Sequence, residues 1–342
     1  MLLGATGSIG RQACDVIARH PDRFRLVGVV GGSDCAALDD VMRRFKVRRG
    51  AVTHPRQGDQ LPEFAEPGLD AAAAIAAMDA DVVLVAITGS PALVPTLAAI
   101  DAGRLLAVAT KEVLVMAGDL VRRTAAATGA RIVPVDSEHS AIWQCLRGER
   151  PASVARLVLT ASGGPFRTRD LHDFDSITPQ EALNHPTWRM GPKVTLDSAT
   201  MMNKGLEIIE AHHLFDVPYD RIGVVIHPTS LVHSMVEFVD GTTIAQLGVP
   251  DMRVPISLAL SDGERLPGVG ETLQLTEVPP LSFEALDEAR FPAVSLARRT
   301  GRAGGVKPAV LNAANEEAVA AFLQGRCGFQ DIVPMVERAV ED

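Results

Sequence analysis

Short apolar runs alternate with amphipathic stretches from residue 1 to about residue 135. The apolar runs have the length and composition of buried strands, and they are MLLGATG, FRLVGVVGG, DVVLVAITG, RLLAVAT and ARIVPVDSE. The intervening stretches predict helices over 8–19, 36–45, 92–102 and 113–128, and propensity alone predicts a further helix over the alanine-rich stretch 71–78. Strands and helices that alternate in this way are typical of a parallel sheet covered by helices.

The pattern changes after Pro151. Residues 155–166 and 223–248 predict longer, partly alternating strands, and the dipeptide Asp240–Gly241 is typical of a tight hairpin turn. A stretch rich in Pro, Gly and Glu, 261–280, predicts a linker, whereas 309–322 and 332–341 predict helices. We therefore predict an α/β chain whose second half adds a mostly antiparallel sheet and a helical end.

The composition agrees with this prediction. A chain of 342 residues is long enough for two domains and a small third piece. Hydrophobic residues make up 47% of the chain and aromatic residues only 4%, so its cores must be built mainly from Ala, Val, Leu and Ile.

Charge and segment composition argue against several classes of protein. A formal net charge of −9 argues against a nucleic-acid-binding protein and against attachment to an anionic membrane. No run approaches ~20 apolar residues, and the residues after Met1 lack the basic and apolar regions of a signal peptide. The four cysteines are far apart and show no metal-binding spacing, so we expect reduced thiols and a cytoplasmic protein.

The segment GATGSIG, from Gly4 to Gly10, lies between the first predicted strand and the first predicted helix. Glycines at this spacing let the backbone approach a pyrophosphate, and the helix N-terminus offers free N–H groups to it. Ser8 is of a residue type that caps helices. The segment predicts a dinucleotide site, and the alternative is a tight turn that binds no ligand.

The end of the second strand, GGSD, is where dinucleotide-binding enzymes distinguish the 2′ position of the ribose. Asp34 can accept a hydrogen bond from a 2′-hydroxyl, which favours NAD, and no Arg or Lys stands beside it to bind a 2′-phosphate. The alternative role of Asp34 is to cap the following helix.

Asp136 and Glu138, in VDSEHS, follow the last strand of the predicted parallel sheet, at the edge where α/β proteins bind ligands. On an extended segment, side chains two residues apart point the same way. Two carboxylates side by side attract a hard divalent cation such as Mg²⁺ or Mn²⁺. The alternative is a solvated pair at a helix start, with Asp136 or Ser137 as the cap.

Several short polar segments carry the hydroxyl, amide, ammonium and imidazole groups that suit a phosphate monoester. The residues are Ser162, His185, Trp188, Ser198, Asn203 and Lys204. Each residue taken alone is more typical of a turn, a cap or a packed side chain.

The segment TMMNKGLEIIEA has the apolar stripe of a core helix, yet it contains Lys204 and Glu207. From spacing alone, these two residues predict an ion pair on a solvated helix face. A second interpretation depends on the other motifs of the chain.

Taken together, the motifs resemble those of one family. The chain contains, in this order, GATGSIG, ATKEV, PVDSEH, TASGGPF, HPTW, DSATMMNKGLE, IHPTSLVHSMVE, PDMR and NAANEEAVAAFL. This set resembles the 1-deoxy-D-xylulose 5-phosphate reductoisomerases, for which DSATMMNKGLE and PVDSEH are close to diagnostic. The resemblance implies a homodimeric enzyme of the non-mevalonate isoprenoid route that uses NADPH and Mg²⁺ or Mn²⁺. Its reaction would isomerise 1-deoxy-D-xylulose 5-phosphate and reduce the resulting aldehyde to 2-C-methyl-D-erythritol 4-phosphate.

The resemblance also implies a domain division and a role for particular residues. Residues 1–136 would form a Rossmann-like NADPH-binding domain, 137–261 a catalytic and dimerisation domain, 262–287 a linker and 288–342 a small helical C-terminal domain. The metal ligands would be Asp136, Glu138 and Glu207. The substrate would contact Lys111, Ser137, Glu138, Ser162, His185, Trp188, Ser198, Asn203, Lys204, Glu207 and His233. The cofactor would contact Thr6, Gly7, Ser8, Ile9, Gly32, Ser33, Asp34, Thr110, Glu112 and Gly191.

The chain also departs from the family pattern. Ser33 and Asp34 stand where a Lys or Arg followed by Asn is usual, and Thr110 stands where an Asn contacts the cofactor. These differences predict a weaker preference for NADPH over NADH than the family norm. The chain also ends earlier than family members usually do, which predicts that the last helices of the C-terminal domain are missing.

Two other functions compete with an active reductoisomerase. One is a paralogue or fragment that binds nucleotide and sugar phosphate but turns over poorly, and the other is an unrelated sugar-phosphate dehydrogenase. The departures lie at the 2′ end of the cofactor and at the chain ends, whereas the metal and phosphate positions are intact. The sequence therefore favours the active enzyme.

Overall fold

The computed structural model describes residues 1–184 and 191–342, so the roles predicted for His185 and Trp188 lie outside the described residues. These residues separate into two units. The first unit comprises Met1–Ser140 with Asp251–Glu271, and the second comprises Ala141–Pro250 with Thr272–Asp342. The finer domain division predicted from the sequence stays a prediction.

In the first unit, strands and helices alternate as the apolar pattern predicts. The strands are β1 (Leu2–Leu3), β2 (Val29–Gly31), β3 (Gly50–Val52), β4 (Ala65–Pro67), β5 (Val82–Val85), β6 (Leu105–Val108) and β7 (Arg131–Pro134). The helices are α1 (Ser8–Arg19), α2 (Cys35–Phe45), α3 (Leu69–Ala77), α4 (Leu93–Asp101) and α5 (Lys111–Thr128), with a 3-10 turn, Ser90–Ala92, before α4. The five predicted helices are confirmed to within two residues at each end. Strands β3 and β4 were not predicted, because their sequences, GAV and AEP, lack the apolar runs that mark the other strands.

The seven strands of this unit form a parallel sheet in the order β4-β3-β2-β1-β5-β6-β7. Strand β1 pairs with β2 on one side, where Leu2 faces Val29, and with β5 on the other side, where Leu2 faces Leu84. The strand order therefore reverses at β1. In sheets of this type, ligands bind outside the carboxyl ends of the strands beside the reversal.

The second unit contains a mixed sheet, and helix α6 (Ser137–Cys145) precedes it in the chain. Its strands are β8 (Val154–Ala161), β9 (Ile222–Ile226), β10 (Val232–Phe238), β11 (Thr243–Leu247) and β12 (Glu284–Ala285), in the order β11-β10-β8-β9-β12. Only the β8–β9 pair among these strands is parallel, so the mostly antiparallel sheet is confirmed. Asp240–Gly241 lies between the antiparallel strands β10 and β11, as the hairpin signal predicts.

The remaining helices follow the chain to its end. They are α7 (Pro179–Ala182), α8 (Pro192–Ala199), α9 (Met202–Phe215), α10 (Arg253–Leu260), α11 (Ala293–Ala303), α12 (Lys307–Leu323) and α13 (Ile332–Glu341). The 3-10 turns of this part are Pro151–Ser153, Leu171–Ser176, Tyr219–Arg221 and Phe329–Asp331. Helix α10 belongs to the first unit, and the predicted linker, 261–280, forms neither helix nor strand.

Close helix packing and an aromatic cluster build the core of the second unit. A Cβ added at Gly205 in α9 would lie 2.7 Å from the Cβ of Ala297 in α11, so the two helices approach at backbone distance. The ring of Phe329 lies 5.2–5.9 Å from the rings of Phe166, Phe174 and Phe322. Four of the 11 phenylalanines of the chain thus pack together in this core.

The structure agrees with two expectations drawn from composition. All four cysteines are free thiols, as predicted. No helix within the described ranges has both the length and the apolar content needed to cross a membrane.

Candidate functional site

The turn after β1 is built by backbone conformation. Gly4 has a φ of 90°, and a Cβ at this position would lie 2.2 Å from the carbonyl oxygen of Ala86, just after β5. A Cβ at Gly10 in α1 would lie 2.2 Å from the carbonyl oxygen of Gly4. Only glycine fits at these two positions. Helix α1 therefore begins beside the strand reversal, where its N-terminal N–H groups suit a pyrophosphate.

The predicted cap by Ser8 is wrong. Ser8 is the first residue of α1, and Gly7, with extended backbone at φ −76° and ψ 178°, is the N-cap. Because Gly7 has no side chain, a side-chain cap does not occupy the first N–H groups of the helix. Gly7 and Ser8 are both exposed, as a cofactor contact requires.

Asp34 takes the second of its two predicted roles. It is the N-cap of α2, and its Oδ1 accepts a hydrogen bond from the backbone N–H of Ala37 at 2.9 Å. The partial positive charge of the helix N-terminus offsets the charge of this carboxylate. Beside it, a Cβ added at Gly32 would meet no described atom within 4 Å, so the backbone there is open. The premise of an unengaged carboxylate facing the ribose therefore does not hold.

The segment ATKEV joins β6 to α5 and contains three predicted site residues. Thr110 is the N-cap of α5, and its hydroxyl donates to the carbonyl oxygen of Ile87 at 2.6 Å. Lys111 and Glu112 are buried in the first turn of α5. The Lys111 Nζ lies 2.5 Å from an Asp136 carboxylate oxygen, just after β7. The carboxyl ends of β6 and β7 thus bring a lysine and a carboxylate together.

The expectation that Asp136 and Glu138 share an extended segment is wrong. Strand β7 ends at Pro134, and Glu138 lies in the first turn of α6, which begins at Ser137. The carbonyl oxygen of Asp136 accepts a hydrogen bond from the Ser140 N–H at 2.8 Å, and the Ser137 hydroxyl donates to the Glu138 carboxylate. Helix geometry, and not strand alternation, therefore sets the spacing of the two carboxylates.

Ser162 and Ser198 come from separate segments of the second unit, and these segments meet at Gly164. Ser162 follows β8, and its hydroxyl oxygen accepts a hydrogen bond from the Gly164 N–H at 3.3 Å. A Cβ added at Gly164 would lie 2.7 Å from the carbonyl oxygen of Ser198 in α8. Gly164 also has a φ of 69°, so glycine is required here for both reasons. The structure thereby joins the TASGG and DSAT segments.

Lys204 and Glu207 form the predicted ion pair, but the predicted solvated face is wrong. The Lys204 ammonium contacts Glu207 Oε2, and the Asn203 amide donates to Glu207 Oε1. Glu207 is 0% exposed and Lys204 is 3% exposed. Met201, with a φ of 62°, provides the turn from α8 into α9 that places these three residues. A buried carboxylate needs such partners, since leaving it unpaired costs several kcal/mol.

Sequence reasoning missed Asp197, which organises the same region. Asp197 is 1% exposed, and its carboxylate lies 2.7 Å from the Lys193 Nζ. The Asn315 amide in α12 donates to its other oxygen at 2.7 Å. The i,i+4 spacing of Lys193 and Asp197 was the available signal. These bonds hold α8 in place and give a structural role to the NAANEE motif.

Two further predicted residues lie on regular elements. His233 is buried in β10. Gly191 is the N-cap of α8, and a Cβ added there would meet no atom of the described residues within 4 Å. Their predicted contacts with substrate and cofactor stay predictions.

The three predicted metal ligands are divided between the two units. Asp136 and Glu138 lie in the first unit and are partly exposed, whereas Glu207 lies in the second unit and is 0% exposed. All three are carboxylates, the oxygen donors that a hard divalent cation prefers, so the chemistry of the donor set fits such an ion. The metal site that they would share stays a prediction.

Three family models match the chain. The model described as 1-deoxy-D-xylulose 5-phosphate reductoisomerase matches residues 1–118. The model described as the C-terminal domain of 1-deoxy-D-xylulose 5-phosphate reductoisomerase matches residues 132–215, and a DXP reductoisomerase C-terminal domain matches residues 247–342. Together these matches span most of the sequence.

Individual relatives give the same result. The 1-deoxy-D-xylulose 5-phosphate reductoisomerase of Leifsonia xyli subsp. xyli is 54% identical over 341 residues, which cover 100% of this chain and 90% of that protein. A crystal structure of DOX-P reductoisomerase in complex with NADPH, fosmidomycin and magnesium is 42% identical, with a TM-score of 0.95 and coverage of 100% and 88%. The Zymomonas mobilis enzyme in complex with NADPH is 43% identical, with a TM-score of 0.92 and coverage of 99% and 90%. These comparisons do not support the expectation of missing C-terminal helices. The chain belongs to the 1-deoxy-D-xylulose 5-phosphate reductoisomerase family.

Proposed function

We propose that this chain converts 1-deoxy-D-xylulose 5-phosphate to 2-C-methyl-D-erythritol 4-phosphate with NADPH and Mg²⁺ or Mn²⁺, in the synthesis of isoprenoid precursors. The observation that carries the proposal is the 54% identity of this chain, over 341 residues, to a 1-deoxy-D-xylulose 5-phosphate reductoisomerase. The three carboxylates predicted as metal ligands, Asp136, Glu138 and Glu207, are all present in the chain. The related structures contain NADPH and magnesium, which supports both cofactors here.

Asp136, Glu138 and Glu207 would hold the divalent ion. When bound, the ion supplies Lewis acidity toward the oxygens of the substrate. Glu207 is 0% exposed, and Lys204 and Asn203 hold its carboxylate in place. Asp136 and Glu138, by contrast, are partly exposed. The three carboxylates thus combine charge for a cation with access for a ligand.

The phosphate of the substrate would bind to Ser162, Ser198, Asn203 and Lys204. Their hydroxyl, amide and ammonium groups donate hydrogen bonds, and an ammonium adds charge assistance worth about 1.5–3 kcal/mol per bond. A phosphate held away from the reacting carbons orients the substrate. Lys111 and Ser137 would meet the oxygens nearer the reacting carbons, because they adjoin the first two carboxylates. His185, Trp188 and His233 would contact the same substrate.

The nicotinamide cofactor would lie along the carboxyl edge of the parallel sheet. The glycine turn at residues 4–10 suits its pyrophosphate. Its contacts would be Thr6, Gly7, Ser8, Ile9, Gly32, Ser33, Thr110, Glu112 and Gly191. This placement uses the strand reversal at β1, where the sheet leaves room for a ligand.

We infer further that the chain acts as a homodimer in the cytoplasm. The inference on assembly comes from the family, and the inference on location comes from the free thiols. Light scattering of the purified protein at micromolar concentration gives its mass directly. A mass of one chain at all concentrations would contradict the dimer.

One assay tests the proposed function. We expect purified protein to oxidise NADPH, followed at 340 nm, only when 1-deoxy-D-xylulose 5-phosphate and Mg²⁺ or Mn²⁺ are both present. Chelation of the metal should stop the reaction, and added Mn²⁺ should restore it. Formation of 2-C-methyl-D-erythritol 4-phosphate should match the NADPH consumed. Binding of NADPH without turnover under these conditions would instead identify a paralogue that has lost catalysis.

A further inference from the structure

An open groove runs along helix α2 in the first unit and begins at the end of β2. Its volume is about 1110 Å³, and Ser33 and Asp34 line one end of it. This end lies where an enzyme of this fold meets the 2′ position of the adenosine ribose. Neither Ser33 nor Asp34 carries a positive charge, so a 2′-phosphate needs a cation from elsewhere in the groove.

Four basic residues line the groove, and three belong to its other end. Helix α2 has 11 residues and is therefore about 16 Å long. Arg43 lies in its last turn and pairs with Asp39 at 2.5 Å, and Lys46 is its C-cap. Arg48 follows two residues later and packs over the ring of Phe64. The backbone of each of these three residues therefore lies away from the N-terminal end of α2, where Ser33 and Asp34 line the groove.

Arg56 is the fourth basic residue, and backbone hydrogen bonds connect its segment to the end of β2. The N–H groups of Thr53 and His54 each donate at 3.0 Å, to the carbonyl oxygens of Gly31 and Gly32 respectively. Arg56 lies two residues beyond His54, a span of at most ~7 Å. Its side chain is exposed, and within residues 1–184 and 191–342 its guanidinium forms no ion pair.

We propose that Arg56 binds the 2′-phosphate of NADPH and replaces the cation missing at position 33. This inference rests on the proposed function, because it concerns the same cofactor. A guanidinium presents two parallel N–H groups to a phosphate, which suits an exposed site better than a point charge does. The neighbouring β3–β4 connection, rather than the β2–α2 turn, then determines the choice of NADPH over NADH.

The two carboxylates at this end of the groove each accept a hydrogen bond from the backbone. Asp34 accepts a hydrogen bond from the Ala37 N–H at 2.9 Å. Asp59 accepts one from the Arg56 N–H at 2.8 Å, and the Asp59 N–H donates back to the Arg56 carbonyl oxygen at 3.1 Å. Both acids are thus bound to backbone. The second pair also fixes residues 56–59 in a turn that positions the Arg56 side chain.

Binding of small nucleotides tests the proposal without turnover. Adenosine 2′,5′-bisphosphate carries the 2′-phosphate, and adenosine 5′-monophosphate does not. By calorimetry, Arg56→Ala should weaken binding of the bisphosphate at least tenfold, equivalent to about 1.4 kcal/mol, and leave binding of the monophosphate unchanged. Arg48→Ala, in the same groove, should change neither. The same Arg56→Ala variant should lose preference for NADPH over NADH in kcat/KM.

The outcomes separate the inference from the proposed function. Equal affinity of the wild type and Arg56→Ala for the bisphosphate would overturn the role of Arg56. A similar loss of affinity for the bisphosphate in Arg48→Ala would also overturn this role, because the loss would then reflect the net charge of the groove and not a specific contact with Arg56. Failure of the wild type to bind NADPH at all would contradict the proposed function itself. Unchanged circular dichroism and melting temperature establish that the variants fold, as expected for exposed side chains.

Discussion

At the scale of single residues, two of the three carboxylates proposed as metal ligands each pair with a lysine. Lys111 lies 2.5 Å from Asp136, and Lys204 contacts Glu207. Ion pairs with this little exposure persist only when charge and hydrogen bonds are satisfied, since desolvation of each ion is costly. The charges of Lys111 and Lys204 therefore stabilise the carboxylates of Asp136 and Glu207 when no metal ion is bound.

Glu207→Gln should weaken metal binding and spare the cofactor. The substitution keeps the size of the side chain but replaces one anionic oxygen donor by an amide. We expect the affinity for Mn²⁺, measured by electron paramagnetic resonance, to fall at least ten- to hundredfold, the range seen when even outer groups of a metal site are lost. Glu210→Gln is the matched control, because Glu210 lies three residues after Glu207 in α9 and is also 0% exposed. A larger loss of Mn²⁺ affinity in Glu210→Gln would contradict the role of Glu207 as a metal ligand.

Lys204→Ala should weaken substrate binding much more than cofactor binding. Loss of a charge-assisted phosphate contact costs about 1.5–3 kcal/mol, which raises the KM for the sugar phosphate roughly tenfold to a hundredfold. The Kd for NADPH, followed by its fluorescence, should change little. Lys193→Ala is the control, since Lys193 also pairs with a buried carboxylate, Asp197. Equal losses for substrate and cofactor in Lys204→Ala would indicate a purely structural lysine.

At the scale of elements, helix α8 depends on a partner far along the chain. Asp197 of α8 receives a hydrogen bond from Asn315 of α12, 118 residues later. The C-terminal helices therefore help to fix the helix that carries Ser198. Packing of α9 against α11 through Gly205 adds a second connection of this kind.

Asn315→Ala should destabilise the second unit. The change removes one partner of a carboxylate that is 1% exposed, and a buried group left unsatisfied costs about 1–3 kcal/mol. Urea unfolding followed by circular dichroism measures the loss. Asn312→Ala, in the same helix, is the control because the Asn312 amide donates a hydrogen bond locally, to Glu316 four residues away. We expect a smaller shift for Asn312→Ala, and a shift as large as that of Asn315→Ala would contradict the special role of Asp197.

At the scale of the whole molecule, burial lowers the reactivity of two of the four thiols, Cys14 and Cys145. Burial raises the pKa of both Cys14 and Cys145 to about 11, from an ordinary value of 9.0. At pH 9 the thiolate fraction of each folded thiol is then about one hundredth, whereas unfolded chain has about half. The thiolate is the nucleophile, so folding protects Cys14 and Cys145 from alkylation between about pH 9 and pH 11, the interval between the two pKa values.

Alkylation therefore should distinguish folded from unfolded chain. With iodoacetamide at pH 9, followed by mass spectrometry, Cys14 and Cys145 should react at least tenfold more slowly in native protein than in urea. Reaction in native protein should accelerate as the pH rises through about 11. Native rates equal to those in urea at pH 9 would show that the two thiols are accessible.

The sequence by itself determined the features that local physics controls. Apolar runs that alternate with amphipathic stretches predicted the parallel sheet and its five helices, because burial of one face sets the periodicity of each element. The glycine spacing at residues 4–10 predicted the turn, since only glycine allows the positive φ of Gly4 and the close approach at Gly10. Motifs in order along the chain predicted the family, which the comparisons confirm.

Tertiary structure decided the features that depend on residues distant in the chain. The spacing of Lys204 and Glu207 predicts an ion pair on any helix, but only packing makes it a buried one. From the sequence, Asp34 can bind a ribose or cap a helix. In the structure it is the N-cap of α2 and accepts a hydrogen bond from the Ala37 N–H. Asp197 and Asn315 meet across 118 residues, a contact that has no signature in either local segment. Periodicity reports which face of an element is apolar, whereas burial, pairing and charge balance depend on what the fold places opposite that face.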